Sequence, residues 1–322
     1  MVLLLKESDV KSVLTMDIAL AAVEEAFQGL ADGSALNQPR RRIALDHGGT
    51  LHLMASAVRS RNALGLKVYA TFGGATNFLI PLYDSSDGRL LALIEGDWLG
   101  RLRTGAASGV ATRYMARPDA RRLGLFGAGG QARTQLLAIC AVRPIERVHV
   151  YCRGAESRAA FVAEMQPKVA AELVAVDEPR AAVAGMDVIA TMTTASQPVF
   201  EGGWLEPGTH INAAGANHLR RRELDGEAVA RSSRVAADSV EQAKLEAGDL
   251  AAAVAEGRLG WEEVLEFSAI AGGQAPGRAS DEEITLFESQ GISVWDVATA
   301  AEVYRLAVAR GLGQRLPLFD GE

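Results

Sequence analysis

The alternation of apolar and polar residues divides the chain into two stretches with different periods. After a helical pattern over residues 17–32, the first stretch breaks into short apolar runs at 40–45, 50–58, 65–72, 79–83 and 89–94. Between them stand Asp46-His47-Gly48-Gly49, Gly73-Gly74 and Ser85-Ser86-Asp87-Gly88, turn chemistry suited to antiparallel hairpins. This part predicts a β-meander. A further helix is expected over 104–116, where Val110 and Met115 fall at helical spacing.

From Arg122 onward, strand-like runs alternate with stretches long enough for helices. The expected strands are 123–126, 148–151, 173–176, 188–192, 210–213 and 235–238, a series that implies βαβ units and a parallel sheet. Residues 293–310 carry the apolar spacing of one amphipathic helix, with Gly311 as its terminator. The fold class is therefore α/β: a Rossmann-type doubly wound parallel sheet plus an α+β domain with antiparallel strands.

The most specific local signal is Leu123-Gly124-Leu125-Phe126-Gly127-Ala128-Gly129-Gly130-Gln131-Ala132. An apolar strand runs into G-x-G-x-x-A and then a helix. Gly127 permits the tight turn, Gly129 lets backbone approach a pyrophosphate, and small Ala132 lets helix and strand pack closely. With Ala128, Gly130 and Gln131, these residues would cradle phosphates at a helix N-terminus, where free N–H groups and the positive end of the dipole lie. A Gly-rich turn alone is weak evidence. Its place between a predicted strand and helix, at the head of an alternating series, is the context that gives it meaning.

About 20 residues past Ala132 the fingerprint expects an acid for the ribose hydroxyls of NAD. The chain has Val150-Tyr151-Cys152-Arg153-Gly154 instead. Cys152 and Arg153 would lie at the adenosine end, and Arg153 can pair with a 2′-phosphate, so NADP(H) is favoured while nearby Glu156 keeps NAD(H) open. Thr193 lies at the end of the fourth predicted strand, where such sheets place ligands.

A dinucleotide domain carries hydride chemistry, so the other domain should supply substrate contacts. In a strand over 40–45, Arg41, Ile43 and Leu45 share one face, with Arg40 and Arg42 on the other. An arginine on an apolar face needs an anion, and a carboxylate meets it bidentately. Lys67 shares a strand face with Tyr69 and Thr71. Arg103-Thr104 is expected to open the helix before the nucleotide domain, with Thr104 capping it and the helix end attracting anions.

Length and composition fit this picture without altering it. The chain has 322 residues, 48% hydrophobic and 23% charged, with a formal net charge of −7. An acidic balance argues against nucleic acid as partner, and no apolar stretch reaches the roughly 20 residues that span a bilayer. A cytoplasmic protein is expected. The two cysteines, Cys140 and Cys152, lack CxxC spacing and are expected as free thiols. The five histidines show no metal-ligand spacing.

Across nearly its whole length the chain resembles the ornithine cyclodeaminase and mu-crystallin family of nicotinamide-dependent imine and amino-acid enzymes. The resemblance is carried by Gln38-Pro39-Arg40-Arg41, Leu66-Lys67-Val68, Glu95-Gly96, Arg103-Thr104-Gly105-Ala106-Ala107 and the glycine motif. It continues in Ile211-Asn212-Ala213-Ala214-Gly215, Arg222-Glu223-Leu224-Asp225, Glu241-Gln242-Ala243 and Glu246-Ala247-Gly248-Asp249-Leu250. Phe287-Glu288-Ser289-Gln290-Gly291 and Asp296-Val297-Ala298-Thr299-Ala300 complete it. The resemblance implies that Arg41, Lys67 and Arg103 bind or polarise the substrate, and that Ser289 and Gly291 lie near the nicotinamide. It also implies a first domain built from both chain ends, 1–115 with 296–322, that forms a homodimer, and a nucleotide domain over 116–295.

One departure bears on the reaction. Cyclodeaminases carry Gly-Gly-Asp after the Ile-Asn-Ala strand, and this chain carries Gly215-Ala216-Asn217. An amide cannot take a proton at neutral pH; Asn217 can only donate or accept a hydrogen bond. The resemblance thus favours NAD(P)H-dependent reduction of a small 2-imino acid, a cyclic ketimine such as 1-pyrroline-2-carboxylate. Iminosuccinate reduction, alanine dehydrogenation, ornithine cyclodeamination and non-catalytic binding of NADP(H) or a small ligand remain open alternatives.

Overall fold

The computed structural model describes residues 1–318 and divides into two units, residues 1–103 with 292 onward, and residues 104–291. The first begins with β1 (Val2–Leu5), α1 (Glu7–Val13), α2 (Met16–Asp32), β2 (Ala35–Asn37) and β3 (Arg41–Ala44). It continues through β4 (Thr50–Val58), β5 (Ala63–Phe72), β6 (Ala75–Asp84) and β7 (Leu90–Glu95). β4 to β7 form the expected antiparallel meander. Gly73 and Gly74 turn β5 into β6 with φ of 57° and 87°, the paired positive values that match a tight turn to strand twist.

The register of β4 on β5 sorts the side chains. Met54 opposes Lys67 and His52 opposes Tyr69 on one face; Leu53 opposes Val68 and Leu51 opposes Ala70 on the other. The Met54 and Lys67 face is covered.

Helix α3 (Asp97–Met115) starts at 97, not at the expected 104. Its cap is remote: Glu7 Oε1 accepts the Asp97 N–H at 2.7 Å, and the same carboxylate accepts the Trp98 N–H. Local sequence could not show it, because the capping carboxylate stands 90 residues away. Arg103 and Thr104 consequently lie inside the helix, and Thr104 is not its cap.

The second unit contains β8 (Arg122–Phe126), α4 (Gly130–Val142), β9 (Arg147–Tyr151), α5 (Ala155–Met165), β10 (Glu172–Ala175), β11 (Val188–Thr191) and β12 (His210–Ala213). There follow α6 (Gly226–Arg231), β13 (Arg234–Ala237), α7 (Val240–Glu246), α8 (Gly248–Ala255), β14 (Val264–Glu266), α9 (Phe267–Ala271) and β15 (Thr285–Glu288). The sheet runs β10-β9-β8-β11-β12-β15-β13-β14, and every pairing in it is parallel. All six expected strands are present. β15 inserts between β12 and β13, a pairing that chain order does not reveal.

β11, β12 and β15 are buried at every residue, as parallel strands covered on both faces are. Alternation splits the core in two. Leu123, Leu125, Leu136, Ile139, Val148 and Val150 fill one side; Phe126, Ile189, Ile211, Leu224, Val235 and Leu286 fill the other.

The chain then returns to the first unit as α10 (Ser293–Arg310), ending at left-handed Gly311 as expected, and β16 (Gln314–Leu316), which pairs with β1. α10 packs on α2, β4 and β5, with Ser293 through Ala300 buried. Its Trp295 meets Phe27 edge-on at 5.1 Å. The unit boundaries fall at 103/104, inside the unbroken helix α3, and at 291/292, just before α10 begins, against the expected 115/116 and 295/296.

Glu7→Ala leaves two N–H groups at the start of α3 without their acceptor. It is expected to lower unfolding free energy by about 1 to 2 kcal/mol in urea titrations; an unchanged midpoint would remove Glu7 as the cap.

Candidate active site

Lys67 on β5, Arg103 on α3 and Asp296 on α10 meet in the first unit. All are buried. Asp296 Oδ1 accepts from Lys67 Nζ at 3.2 Å and from Arg103 Nε at 3.0 Å. One carboxylate oxygen thus serves two cations, leaving a net positive centre. Arg103 Nη1 and Asp296 Oδ2 are buried without a partner; the guanidinium N–H calls for an acceptor such as an anion, the carboxylate oxygen for a donor, and leaving either unmet is costly.

The cations lie against rings. Lys67 Nζ is 4.5 Å from the Phe78 centroid and 5.9 Å from that of Tyr69, and Arg103 stacks over Trp295 at 5.5 Å. His52 stacks on Tyr69 at 4.2 Å. Gly100 leaves the space that the ammonium uses, since a Cβ there would stand 2.9 Å from Lys67 Nζ. Burial pulls Lys67 from its ordinary 10.5 down to about 8, Asp296 opposing the fall and Arg103 and Arg40 adding to it. His52 falls to about 4 through burial and the charges of Arg42 and Arg40, so its ring is neutral at pH 7.

The structure places Arg41 apart from Lys67. Arg41 pairs with Leu53, on the face turned away from Lys67, and β3 is exposed throughout. Arg40 is the buried arginine, with Nε 3.4 Å from Met54 Sδ, on the Lys67 side. Alternation separated the two arginines correctly, but the apolar residues Ile43 and Leu45 sit on an open face.

The second unit holds the glycine turn. Gly127 has φ of 113°, its N–H donates to Tyr151 O at 2.8 Å, and a Cβ would lie 2.4 Å from Met192 O. Gly129 is the N-cap of α4, and a Cβ there would meet nothing within 4 Å. Gly130 begins the helix and Ala132 is fully buried beneath it. Ala128 is half-buried and accepts from Arg133 Nη1. Gln131 Oε1 is buried without a partner. Open space above the first helical N–H groups fits a pyrophosphate.

Past β9, Cys152 is half-buried and Arg153 is exposed. Arg158, which sequence reasoning missed, is buried and reaches Cys152 O and Asp177, holding that turn. Cys152 and Cys140 are free, and burial pushes the Cys140 thiol up to about 12. Thr104 lies in α3, where Gln135 Nε2 reaches its carbonyl at 3.5 Å.

Thr193 stands two residues past β11, and Asn217 is half-buried in the loop after β12. Ser289 Oγ, Gln290 N–H and Gly291 N–H all donate to Asp238 Oδ2, the last at 2.7 Å. Thr193, Asn217, Ser289 and Gly291 therefore follow the C-terminal ends of β11, β12 and β15, the edge at which open α/β sheets bind ligands. Glu223 and Asp296 enter the sequence reading only as members of family motifs and Asp238 only as the end of an expected strand, none with a role; the signal that marks Asp296 is a carboxylate among apolar positions.

A dinucleotide cradle in one unit and a buried cationic cluster in the other define a nicotinamide-dependent oxidoreductase of small acids. The chain belongs to the ornithine cyclodeaminase/mu-crystallin family, whose model matches residues 1–311. It is 35% identical over 323 residues to a Delta(1)-pyrroline-2-carboxylate reductase of Bacillus cereus, covering 98% of this chain and 99% of that one. Among solved structures it is similar to the Delta(1)-pyrroline-2-carboxylate reductase of Thermococcus litoralis in complex with NADH and L-proline. That match has a TM-score of 0.93 and 37% identity, over 98% of this chain and 100% of that one. It is also similar to an archaeal alanine dehydrogenase dimer with bound NAD, with a TM-score of 0.92 and 33% identity over 99% of each chain.

Because Asp296 supports the charged form of Lys67, Asp296→Asn is expected to lower the Lys67 midpoint below about 8 by roughly one unit, followed by lysine side-chain NMR. The sign follows from linkage. Between about 8 and 10.5 the native state holds fewer protons at Lys67 than the unfolded chain, so this group makes stability rise with pH there. A midpoint unmoved in the variant contradicts the pairing.

Proposed function

We infer that the chain is an NAD(P)H-dependent reductase of a small 2-imino acid, with a cyclic ketimine such as 1-pyrroline-2-carboxylate as substrate. The observation that carries this reading is the shared Asp296 oxygen. Lys67 and Arg103 are both buried on one carboxylate oxygen, with an Arg103 N–H left over, and a substrate carboxylate supplies the missing anion. Arg40, rather than Arg41, is the third cation of that cluster.

The nicotinamide, when bound, supplies the hydride. The residues of this chain bind, orient and hold protons. Arg103 and Arg40 fix the carboxylate; Lys67, poised near pH 8, hydrogen-bonds the carboxylate or imine side and favours the protonated imine, which is the electrophile. Phe78 and Tyr69 present rings beside Lys67, an apolar wall suited to a small ring. Asn217 offers a hydrogen bond but no base, which suits reduction better than deamination. Gly127 to Ala132 hold the pyrophosphate, Cys152 and Arg153 the adenosine end with NADP(H) preferred, and Thr193, Ser289 and Gly291 the nicotinamide end.

A homodimer is part of the reading. Leu36, Ile43, Leu51 and Leu64 are exposed on the sheet face opposite Lys67, an apolar patch that monomers rarely leave open. The alanine dehydrogenase similar to this chain is a dimer. A cytoplasmic setting fits the two free cysteines.

The test is nicotinamide absorbance with a panel of 2-imino acids. Turnover is expected with the cyclic ketimine; tight cofactor binding without turnover of any imine would sink the reading, and ammonia release from ornithine without net NADPH change would replace it with cyclodeamination. Lys67→Ala should abolish turnover with cofactor affinity nearly unchanged. Arg40→Ala should raise KM at least about tenfold, the worth of a charged hydrogen bond, and Arg41→Ala should not; the reverse order restores Arg41.

Arg153→Asp should shift preference from NADP(H) towards NAD(H) in the ratio of kcat/KM values. An unchanged ratio removes Arg153 from the cofactor site.

A further inference from the structure

Glu223, from the Arg222-Glu223-Leu224-Asp225 motif, has no part in the reading above, yet it is wholly buried. Its Oε1 accepts the Thr193 N–H at 2.6 Å, while Oε2 accepts the Thr191 hydroxyl at 2.9 Å and the Gly215 N–H at 2.7 Å. A single carboxylate therefore ties the end of β11, the loop after it and the loop after β12. Gly215 is what admits it. A Cβ there would stand 2.6 Å from both carboxylate oxygens and 2.5 Å from Thr193 O.

The glutamate is itself held in place. Its own N–H and that of Leu224 both donate to Asp249 Oδ1 at 2.8 Å, so Asp249, from a second unused motif, anchors the segment that carries it.

The location follows from the sheet order. The pyrophosphate turn follows β8 and the adenosine side follows β9; strand order reverses at β8, so the other end of a dinucleotide falls over β11 and β12. We propose that Glu223, as a carboxylate, is a positioning residue that sets the loops after β11 and β12 for the nicotinamide end of the bound dinucleotide.

An amide would not replace it. Three donors converge on two acceptor oxygens, whereas glutamine offers one oxygen and turns an NH2 towards a donor. The titratable groups facing Glu223 are Asp249 on α8 and Glu288 on β15, with Arg222 beside Asp249 and Asp238 beside Glu288. Burial raises all three carboxyls, Glu288 well above its usual range. The three donors to Glu223 oppose the rise that burial causes and favour its charged form.

The test uses the full chain with Glu223→Gln, Glu223→Asp and the milder Thr191→Val, which removes one donor only. Calorimetry compares NADH with ADP-ribose, which lacks the nicotinamide, and amide exchange is followed at Thr193 and Gly215. Glu223→Gln is expected to weaken NADH by about tenfold with ADP-ribose unchanged, to speed exchange at those two amides and not in β8, and to lower kcat more than it alters KM. Glu223→Asp and Thr191→Val should fall between it and the parent. NADH and ADP-ribose weakened alike, exchange accelerated throughout, or no change in either would overturn the proposal. The inference rests on the reductase reading for the kcat arm alone. A parent chain that reduces no imine defeats that reading while binding and exchange still decide the role of Glu223.

Discussion

Two cations buried on one carboxylate oxygen are the constraint around which the first unit is arranged. Asp296 can neutralise Lys67 or Arg103, not both, and its position fixes where each must stand. The three residues come from β5, α3 and α10, so the cluster exists only because the chain's return helix packs on the meander. Desolvation of this kind is costly. The centre is left with more positive than negative charge in an otherwise well-packed interior, and burial pulls Lys67 down to about 8 even though Asp296 opposes the fall.

The second unit answers a different physical problem, the placing of several loops on one edge of a sheet. Parallel pairing sends the C-terminal ends of β8, β11, β12 and β15 to that edge together. The loops there are then held from below by buried carboxylates: Glu223 for the segments after β11 and β12, Asp238 for 289–291. Backbone N–H groups that would be orphans in a dry interior find strong acceptors, and the turns they belong to are fixed without occupying the space above them.

Much of this is legible in the chain itself. Alternation locates the meander strands and the six strands of the nucleotide sheet, because a period of two or a short apolar run is written in neighbouring residues. The glycine turn is legible because each glycine answers a local need: positive φ at Gly127 and open space at Gly129. What escapes is remote. Glu7 caps α3 from 90 residues away, which moves the helix start from 104 to 97, and β15 enters the sheet between strands that precede it in the chain.

The arginine run shows where the limit lies. The sequence by itself determined that Arg40 and Arg42 oppose Arg41, since adjacent strand residues point to opposite faces. Which face is buried was decided only when α10 covered the side carrying Met54 and Lys67, leaving Ile43 and Leu45 open. Alternation is a property of the strand; burial is a property of whatever packs against it, and here that helix arrives about 250 residues later in the chain.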